Sequence, residues 1–324
     1  MRWIDVPDPG PGEILIRSVY SGISSGTEML VYRGLVEAGL PLDERIEALS
    51  GTFSYPFQYG YSSVGVVERP RESPLHGSLV FAFHPHQELF SKPESDVLVI
   101  SDLSPRLATL FPLVETALQI YLEVEQIGGG PTVVIGLGAV GMLTAALMEQ
   151  RGHTVIGVDI SPWRAEAARA LGIDAVEPEA APEAVRRQSG GRGAAVVVEA
   201  SGDPEALASA LDLLGHEGTA LVVSWYGLKF ASLPLGGAFH RRRLTIRSTQ
   251  VSTIPAQLAS QWTVRRRREA ALKLIDRLPV EALATHDFPF SSAASAYGAV
   301  DEGEEGLLHA ALSYGPTTHT SANV

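Results

Sequence analysis

Residues 1–112 contain short apolar segments separated by turn-forming residues. The segments 12–20, 63–68 and 78–83 are rich in Val, Ile, Leu and Phe, which favour strands. The stretch Pro9–Gly12 marks a turn before the first of them. Short strands of this kind, without a long helical period between them, predict a mostly antiparallel, barrel-like β domain.

After residue 112, apolar strands alternate with helical periods. Two helix starts are well marked, because Ser161 and Asp203 each stand before a proline, and these are common capping residues. The second of these helices is predicted to end near Gly215. The alternation predicts βαβ units and a parallel sheet with helices on both faces. The predicted strands span 132–135, 155–159, 195–199, 220–224 and 244–248, and the first helix spans 140–150.

The pattern becomes mixed again from about residue 252. A helix is predicted over 267–277 and a strand over 310–314, and the polar residues 315–324 are predicted to form a loose tail. A run of four arginines, Arg265–Arg268, stands at the start of this helix. Because Glu269 and an apolar helical period follow it, we interpret this run as a solvated helix start in preference to an anion site.

Composition narrows the possible functions. The net charge of −12 argues against a nucleic-acid partner, since duplex binding relies on basic surfaces. The absence of cysteine excludes disulfides, thiolate nucleophiles, iron–sulfur clusters and cysteine-ligated zinc. The sequence shows neither an apolar run long enough to cross a bilayer nor a signal-peptide pattern, so we expect a cytoplasmic protein without a membrane partner.

A glycine fingerprint follows the first strand of the parallel sheet. Gly136, Gly138 and Gly141 form G-x-G-x-x-G, with Ala139 and Val140 at the start of the helix, and they predict a Rossmann site for a dinucleotide. In such sites the glycines allow a tight turn, close approach of a pyrophosphate and close helix packing.

An acidic residue ends the next strand, where it would accept hydrogen bonds from the adenosine ribose. This residue is Asp159, and its charge favours NAD over NADP, because a 2′-phosphate would meet a like charge. The nearby Arg164 leaves NADP open. The alternative is that Asp159 caps the following helix, a role that we assign to Ser161.

Several segments together resemble the medium-chain dehydrogenase/reductase superfamily, and the resemblance runs nearly end to end. It is carried by Gly12–Arg17, Ser21–Glu28, Gly60–Val67, the glycine fingerprint and Glu199–Gly202. The segment Ser21–Glu28 is most similar to the branch of the bacteriochlorophyllide hydroxyethyl dehydrogenases.

The resemblance implies a two-domain α/β fold, hydride transfer to a small-molecule substrate bound between the domains, and a homodimer. A GroES-like, mostly β catalytic domain, residues 1–112 and 252–314, would be split around a doubly wound Rossmann domain, residues 113–251.

The zinc ligands of the family are missing from this chain. The place of the cysteine ligand holds Ser25, the place of the histidine ligand holds Tyr61, and Glu115 is the remaining residue near the third place that could bind a metal. Neutral serine and phenol are poor zinc ligands beside thiolate and imidazole. We therefore predict that the enzyme has no catalytic zinc.

Without zinc, hydrogen-bond donors must polarise the substrate oxygen. The resemblance offers three candidate catalytic residues: Thr27 matches the hydroxyl that relays a proton in the zinc enzymes, and Tyr61 and Ser25 stand where metal ligands would be. The alternatives are a turn hydroxyl for Thr27, a buried aromatic for Tyr61 and no role for Ser25.

Other residues are expected to line the cofactor or substrate pocket. Ser201 and the strand end Ser224–Trp225 are assigned to the cofactor, and His86 and Tyr226 to the substrate. For His86 a surface loop is the alternative, and for Trp225 and Tyr226 an aromatic subunit contact.

The sequence thus predicts a zinc-independent, NAD(H)-dependent oxidoreductase that interconverts a secondary alcohol and a carbonyl. Two other functions stay open, a double-bond or quinone reductase and a non-catalytic dinucleotide sensor.

Overall fold

The structure, a computed structural model, describes residues 2–100 and 102–315, and the chain divides into two compact units. The first unit comprises Met1–Glu28, Pro41–Thr109 and Ala284–Val324, and the second comprises Met29–Leu40 and Leu110–Leu283. Of the predicted loose tail, Gly315 is described and residues 316–324 lie outside the described residues.

The strands and the α-helices of the described residues are each numbered in chain order. The strands are β1 (Glu13–Gly22), β2 (Ser63–Arg69), β3 (Leu79–Ala82), β4 (Leu89–Pro93), β5 (Val97–Val99), β6 (Thr132–Ile135), β7 (Val155–Val158), β8 (Ala175–Val176), β9 (Ala194–Glu199), β10 (Leu214–Val222), β11 (Thr245–Ser248), β12 (His286–Pro289) and β13 (Ala310–Ser313). The α-helices are α1 (Thr27–Tyr32), α2 (Pro105–Ala108), α3 (Phe111–Val124), α4 (Ala139–Gln150), α5 (Pro162–Ala170), α6 (Ala181–Ser189), α7 (Pro204–Leu213), α8 (Val264–Ile275), α9 (Val280–Leu283) and α10 (Ala293–Glu302).

The first unit is built on a seven-stranded sheet that is mostly antiparallel. The strand order is β12-β13-β1-β2-β3-β5, with β4 also paired to β1, and only the β12–β13 pair among these is parallel. Apolar residues of β1 to β4 alternate toward one face, and among them Ile14, Ile16 and Phe90 are fully buried. The sheet joins both ends of the chain, because β13 pairs with β1.

The second unit contains a six-stranded sheet whose strands are all parallel. The strand order is β11-β10-β9-β6-β7-β8, so the chain reverses its direction across the sheet between β6 and β9. All residues of β6 and β7 are buried, as expected for strands covered on both faces. This is a doubly wound sheet, and the predicted fold class is confirmed.

The two compact units differ from the predicted domains mainly in two segments. Residues 29–40 and 252–283, both predicted to belong to the split catalytic domain, lie in the second unit. For residues 252–283 the reason is helix α8, which packs against α3. Helix α7 ends at Leu213 and β10 begins at the next residue, so Gly215 lies inside a strand.

The interpretation of the arginine run as solvated is wrong for Arg267. Helix α8 begins at Val264, so the run lies inside the helix, and Arg267 shares its buried face with Ala271 and Leu274. Its side chain is 1% exposed, and its guanidinium donates to Glu115 Oε1 and Gln119 Oε1 on α3. Burial raises the pKa of Glu115.

Of the two predicted helix caps, only Asp203 caps its helix through its side chain. Ser161 occupies the N-cap position of α5, but its side chain makes no capping hydrogen bond, whereas Asp203 accepts from the Glu205 N–H at the start of α7.

Within residues 2–100 and 102–315, no helix combines the length and the apolar character needed to cross a bilayer.

Candidate functional site

The glycine fingerprint forms a tight loop between β6 and α4. Gly136 has φ +93°, and a Cβ there would lie 2.6 Å from the backbone of Ser201. A Cβ at Gly141 would lie 1.9 Å from the Gly136 carbonyl oxygen, so the helix start can pack against the loop only without a side chain. At Gly138 a Cβ would meet nothing within 4 Å, so this backbone faces open space.

Helix α4 presents its first backbone N–H groups at this loop. Its helical hydrogen bonds begin with the Met142 N–H donating to the Gly138 carbonyl. The N–H groups of Ala139, Val140 and Gly141 precede that bond, and in any helix the first N–H groups lack helical acceptors. They stand next to the open face of Gly138, an arrangement that suits a phosphate.

The carboxylate of Asp159 is buried and holds the loop together. It follows β7, and its Oδ2 accepts from the Leu137 N–H at 2.7 Å while its Oδ1 accepts from the Ser161 N–H at 2.8 Å. Asp159 therefore holds the backbone of the N-cap residue Ser161, and the Ser161 side chain makes no capping hydrogen bond. A carboxylate offers about four lone-pair sites, so these two bonds leave acceptor capacity for other donors.

A second carboxylate contacts two of the predicted pocket residues of the second unit. Glu199 ends β9, is fully buried, and accepts from Ser201 through the backbone N–H at 2.7 Å and through Oγ. It also accepts from the Tyr226 hydroxyl at 2.5 Å, and burial, followed by Glu199, raises the pKa of that phenol. Ser224 Oγ accepts from the Gly202 N–H, and Trp225 is 39% exposed.

In the first unit, three hydroxyl groups meet beside the start of α1. The Tyr61 hydroxyl hydrogen-bonds with the side chains of Ser24 and Thr27. Thr27 and Tyr61, two of the three predicted catalytic residues, are thus in contact. The third, Ser25, is exposed, and the serine that reaches Tyr61 is its neighbour Ser24. Burial, with added repulsion from Glu28 and Asp43, raises the pKa of Tyr61 to about 12.

A buried carboxylate lies next to these hydroxyls. Glu28 is 1% exposed, and its Oε1 accepts from the Ser24 N–H at 2.8 Å. Its Oε2 accepts from the Tyr297 hydroxyl and lies 3.0 Å from His86 Nε2. Glu28 and Glu199 each lie in a segment that carries the family resemblance, but the sequence assigned a role to neither.

The predicted pocket residue His86 uses both ring nitrogens inside the unit. Besides the contact of Nε2 with Glu28, its Nδ1 lies 2.7 Å from Ser21 Oγ, which lies 2.9 Å from the Tyr314 hydroxyl. A Cβ on Gly60 would lie 2.5 Å from the imidazole, so the ring rests on the backbone next to Tyr61. The side chain is 8% exposed.

Comparisons with known proteins support one family. The family model described as zinc-binding dehydrogenase matches residues 139–265. Over 300 residues the chain is 27% identical to the 2-desacetyl-2-hydroxyethyl bacteriochlorophyllide A dehydrogenase of Rhodobacter capsulatus, covering 90% of this chain and 87% of that protein. It is 25% identical to the L-galactonate-5-dehydrogenase of Escherichia coli K12 over 215 residues, 65% of this chain and 59% of that protein.

A solved structure shows the same fold over almost the whole chain. The 2R,3R-butanediol dehydrogenase of Bacillus subtilis has a TM-score of 0.75 and 20% identity, covering 98% of this chain and 96% of that one. The matched family model, the curated relatives and the solved structures all come from the zinc-type medium-chain dehydrogenase/reductase superfamily. This confirms the predicted family and classes the chain among the oxidoreductases. The match to the Escherichia coli relative spans less than two thirds of that protein.

The residues that the family resemblance assigns to the zinc-ligand places differ in chemistry from cysteine and histidine. Tyr61 and Ser25 offer hydroxyls, and the Glu115 carboxylate is held by Arg267 at 3.0 Å in the second unit. Among residues 2–100 and 102–315, no three His, Asp or Glu side chains are grouped so that they could hold a metal ion. The donor set does not fit zinc, because neutral hydroxyls bind this ion weakly.

Proposed function

We propose that the chain is an NAD(H)-dependent oxidoreductase that interconverts a secondary alcohol and a carbonyl without a catalytic metal. The observation that carries this proposal is the hydroxyl cluster of Tyr61, Thr27 and Ser24, and the family resemblance assigns Tyr61 to the place of a zinc ligand. A non-catalytic dinucleotide sensor would not require three hydroxyl groups grouped beside the buried carboxylate of Glu28.

The second unit fits a nicotinamide dinucleotide. The Gly138 backbone and the first N–H groups of α4 would hold the pyrophosphate, and Asp159 would accept from the adenosine ribose hydroxyls. When bound, this group supplies or accepts a hydride. The topological switch between β6 and β9 is the position at which doubly wound sheets bind such ligands.

The first unit would stabilise charge on the substrate oxygen. Tyr61 donates its phenolic proton in a hydrogen bond to that oxygen, and Thr27 and Ser24 orient the phenol through their own hydroxyls. One aimed donor contributes roughly 2.7–4 kcal/mol to such a step, comparable with the several kcal/mol that a metal ion supplies.

The cofactor preference tests this proposal. We expect NADH to bind at least about tenfold more tightly than NADPH, about 1.4 kcal/mol, because the buried Asp159 carboxylate repels a 2′-phosphate. The Asp159→Ala variant should lose most of this difference. The measurement is a fluorescence or calorimetric titration of both cofactors, with Asp174→Ala, a carboxylate elsewhere in the same unit, as the control.

Equal affinities for NADH and NADPH in the unmodified protein would contradict the assignment. They would point to Arg164, whose guanidinium lies over the Trp163 ring at 5.2 Å and whose buried Nε has no hydrogen-bond partner in the described part of the chain. This arginine would then be the partner of the 2′-phosphate.

A further inference from the structure

Buried carboxylates stand at the ends of both strands that flank β6. Asp159 follows β7 on one side of β6, and Glu199 ends β9 on the other side. Asp159 is 5% exposed and Glu199 is fully buried. Since β6 leads into the glycine fingerprint, the two acids lie on either side of the loop that would hold a pyrophosphate. The proposed function gives Asp159 the adenosine ribose and leaves Glu199 without a role.

One oxygen of Glu199 fixes the turn beneath the glycine fingerprint. Its Oε1 accepts from the Ser201 N–H at 2.7 Å and from the Ser201 hydroxyl, and that hydroxyl accepts in turn from the Asp203 N–H at 3.1 Å. The Ser201 backbone lies against Gly136, where a Cβ would be 2.6 Å from the Ser201 nitrogen and Cα. Glu199 thus holds the backbone on which the first glycine of the fingerprint rests.

The other oxygen of Glu199 anchors the segment after β10, residues 224–229. Its Oε2 accepts from the Tyr226 hydroxyl at 2.5 Å, and the Tyr226 ring packs against the hydrophobic core of the second unit. The Tyr226 carbonyl accepts from the Lys229 N–H at 3.1 Å, and Lys229 Nζ donates to the Gly202 carbonyl at 2.8 Å. The segment 224–229 is therefore tied at two points to the residues that end and follow β9.

These two contacts fall on different parts of a dinucleotide site. With the adenosine at the end of β7, a dinucleotide across the switch point extends past β6 to the ends of β9 and β10. Ser224 and Trp225, predicted to bind the cofactor, stand at the end of β10 on that side. The carboxylate of Glu199 joins this segment to the turn beneath the pyrophosphate loop.

We propose that Glu199 braces both halves of the dinucleotide site, the pyrophosphate loop through Ser201 and the nicotinamide side through Tyr226. This inference rests on the cofactor binding of the proposed function. Glu199 is a positioning residue in it, because its side chain is fully buried and acts through the residues that it holds. The Tyr226 hydroxyl, predicted to line the substrate pocket, serves the cofactor side in this arrangement.

The Tyr226→Phe variant separates the two arms of the brace. It keeps the packed ring and removes only the hydrogen bond to Glu199. The dissociation constant of NADH should rise about tenfold, the scale of one hydrogen bond to a charged group. That of ADP-ribose, which lacks the nicotinamide, should stay within about twofold. Calorimetric titration of the full chain measures both, and an unchanged NADH affinity or an equal loss for both ligands would overturn the inference.

A matched control exists in the same unit. Tyr121, on α3, also has a phenol that hydrogen-bonds a glutamate, Glu125, and its ring contacts His153. Tyr121→Phe should leave the affinities for NADH and ADP-ribose unchanged. A loss of NADH affinity equal to that of Tyr226→Phe would mean that any such pair matters for general stability, and would contradict a specific brace.

Variants of Glu199 test both arms together. Glu199→Ala removes the acceptor for Ser201 and for Tyr226, so NADH and ADP-ribose should both bind at least about tenfold more weakly. Glu199→Gln should keep both affinities within about threefold, because the amide oxygen accepts from Ser201 and the amide N–H donates to the phenol oxygen. A folded Gln variant as weak as Ala would contradict the inference. If Glu199→Ala does not fold, the Tyr226→Phe comparison decides.

A measurement without cofactor distinguishes this inference from the proposed function. Acrylamide quenching of Trp225 is isolated from that of the other three tryptophans by subtracting a Trp225→Phe protein, in the unmodified and the Tyr226→Phe backgrounds. Release of the segment 224–229 should raise the quenching constant of Trp225 about twofold, and an unchanged constant would contradict the anchoring. If the unmodified protein binds neither NADH nor ADP-ribose, the proposed function fails, and a raised quenching constant still supports the anchoring by Glu199.

Discussion

Tyr61→Phe is expected to lower kcat by about 10²–10³, the effect of losing one donor aimed at an oxyanion. The change removes only the hydroxyl that meets Ser24 and Thr27 and keeps the ring. Folding and NADH affinity should therefore change little, since the glycine fingerprint and Asp159 lie in the other unit. Steady-state kinetics on a carbonyl substrate found in a panel of aliphatic, cyclic and aromatic ketones, together with an NADH titration, measure this.

The matched control is Tyr55→Phe, which removes a hydroxyl from a tyrosine that is 63% exposed and should leave turnover unchanged. Thr27→Val provides a second test of the cluster, because valine keeps the shape and removes the hydroxyl that contacts Tyr61. Full turnover in both cluster variants would place the donors elsewhere. It would also favour reduction of an activated double bond, which polarises itself without a donor.

Arg267→Ala is expected to destabilise the protein by about 3–5 kcal/mol, because it leaves a buried carboxylate without its main partner. The guanidinium is 1% exposed, bonds Glu115 at 3.0 Å and Gln119 at 2.5 Å, and also donates to the carbonyls of Val251 and Thr253. The other arginine near Glu115 is Arg268, with its Nε 3.6 Å away. Denaturant unfolding monitored by circular dichroism measures the loss.

The control for this prediction lies on the same helix. Arg265 is 89% exposed and pairs with Glu269, so Arg265→Ala should cost no more than about 0.5 kcal/mol. The double variant Arg267→Met with Glu115→Leu should recover much of the loss, because neither charge is then left buried alone. Similar costs for Arg265→Ala and Arg267→Ala would contradict the account of a buried ion pair.

Local patterns predicted much of the fold. The strand 132–135, the helix near 140–150 and the strand 195–199 agree closely with β6, α4 and β9, because apolar periodicity and glycine punctuation act over a few residues. Helix α3 was not predicted. Its polar residues Glu115, Gln119 and Glu123 are all buried, which hides the apolar period, and partners distant in sequence, such as Arg267, stabilise them.

The run Arg265–Arg268 is a second case in which local sequence did not reveal a buried polar residue. Four consecutive charges suggest a solvated segment, yet Arg267, Ala271 and Leu274 stand at the spacing of one helix face. The helix start is marked by Thr263, whose side chain accepts from the Arg266 N–H. Counted from Thr263, the periodicity places Arg267 on the buried face of the helix.

The site was predictable where it depends on sequence neighbours. The glycine loop and Asp159 follow from their order after a strand, and Thr27 and Tyr61 from the family resemblance. Glu28 with His86, and Glu199 with Tyr226, meet only through the tertiary fold, so residue spacing could not reveal them. Ser24 was missed for a local reason, because in a tight turn the side chain that points inward is decided by backbone geometry.

The most direct test of metal-independent hydride transfer combines metal analysis with turnover. The purified protein is analysed for zinc before dialysis, then dialysed against a chelator and supplied with NADH deuterated at the transferred position and a ketone substrate. Because the ligand places hold Ser25 and Tyr61, we expect less than about 0.2 zinc per chain, undiminished turnover, and deuterium on the carbinol carbon of the product. Near-stoichiometric zinc in the purified protein, with activity lost to the chelator and restored by zinc, would contradict the account.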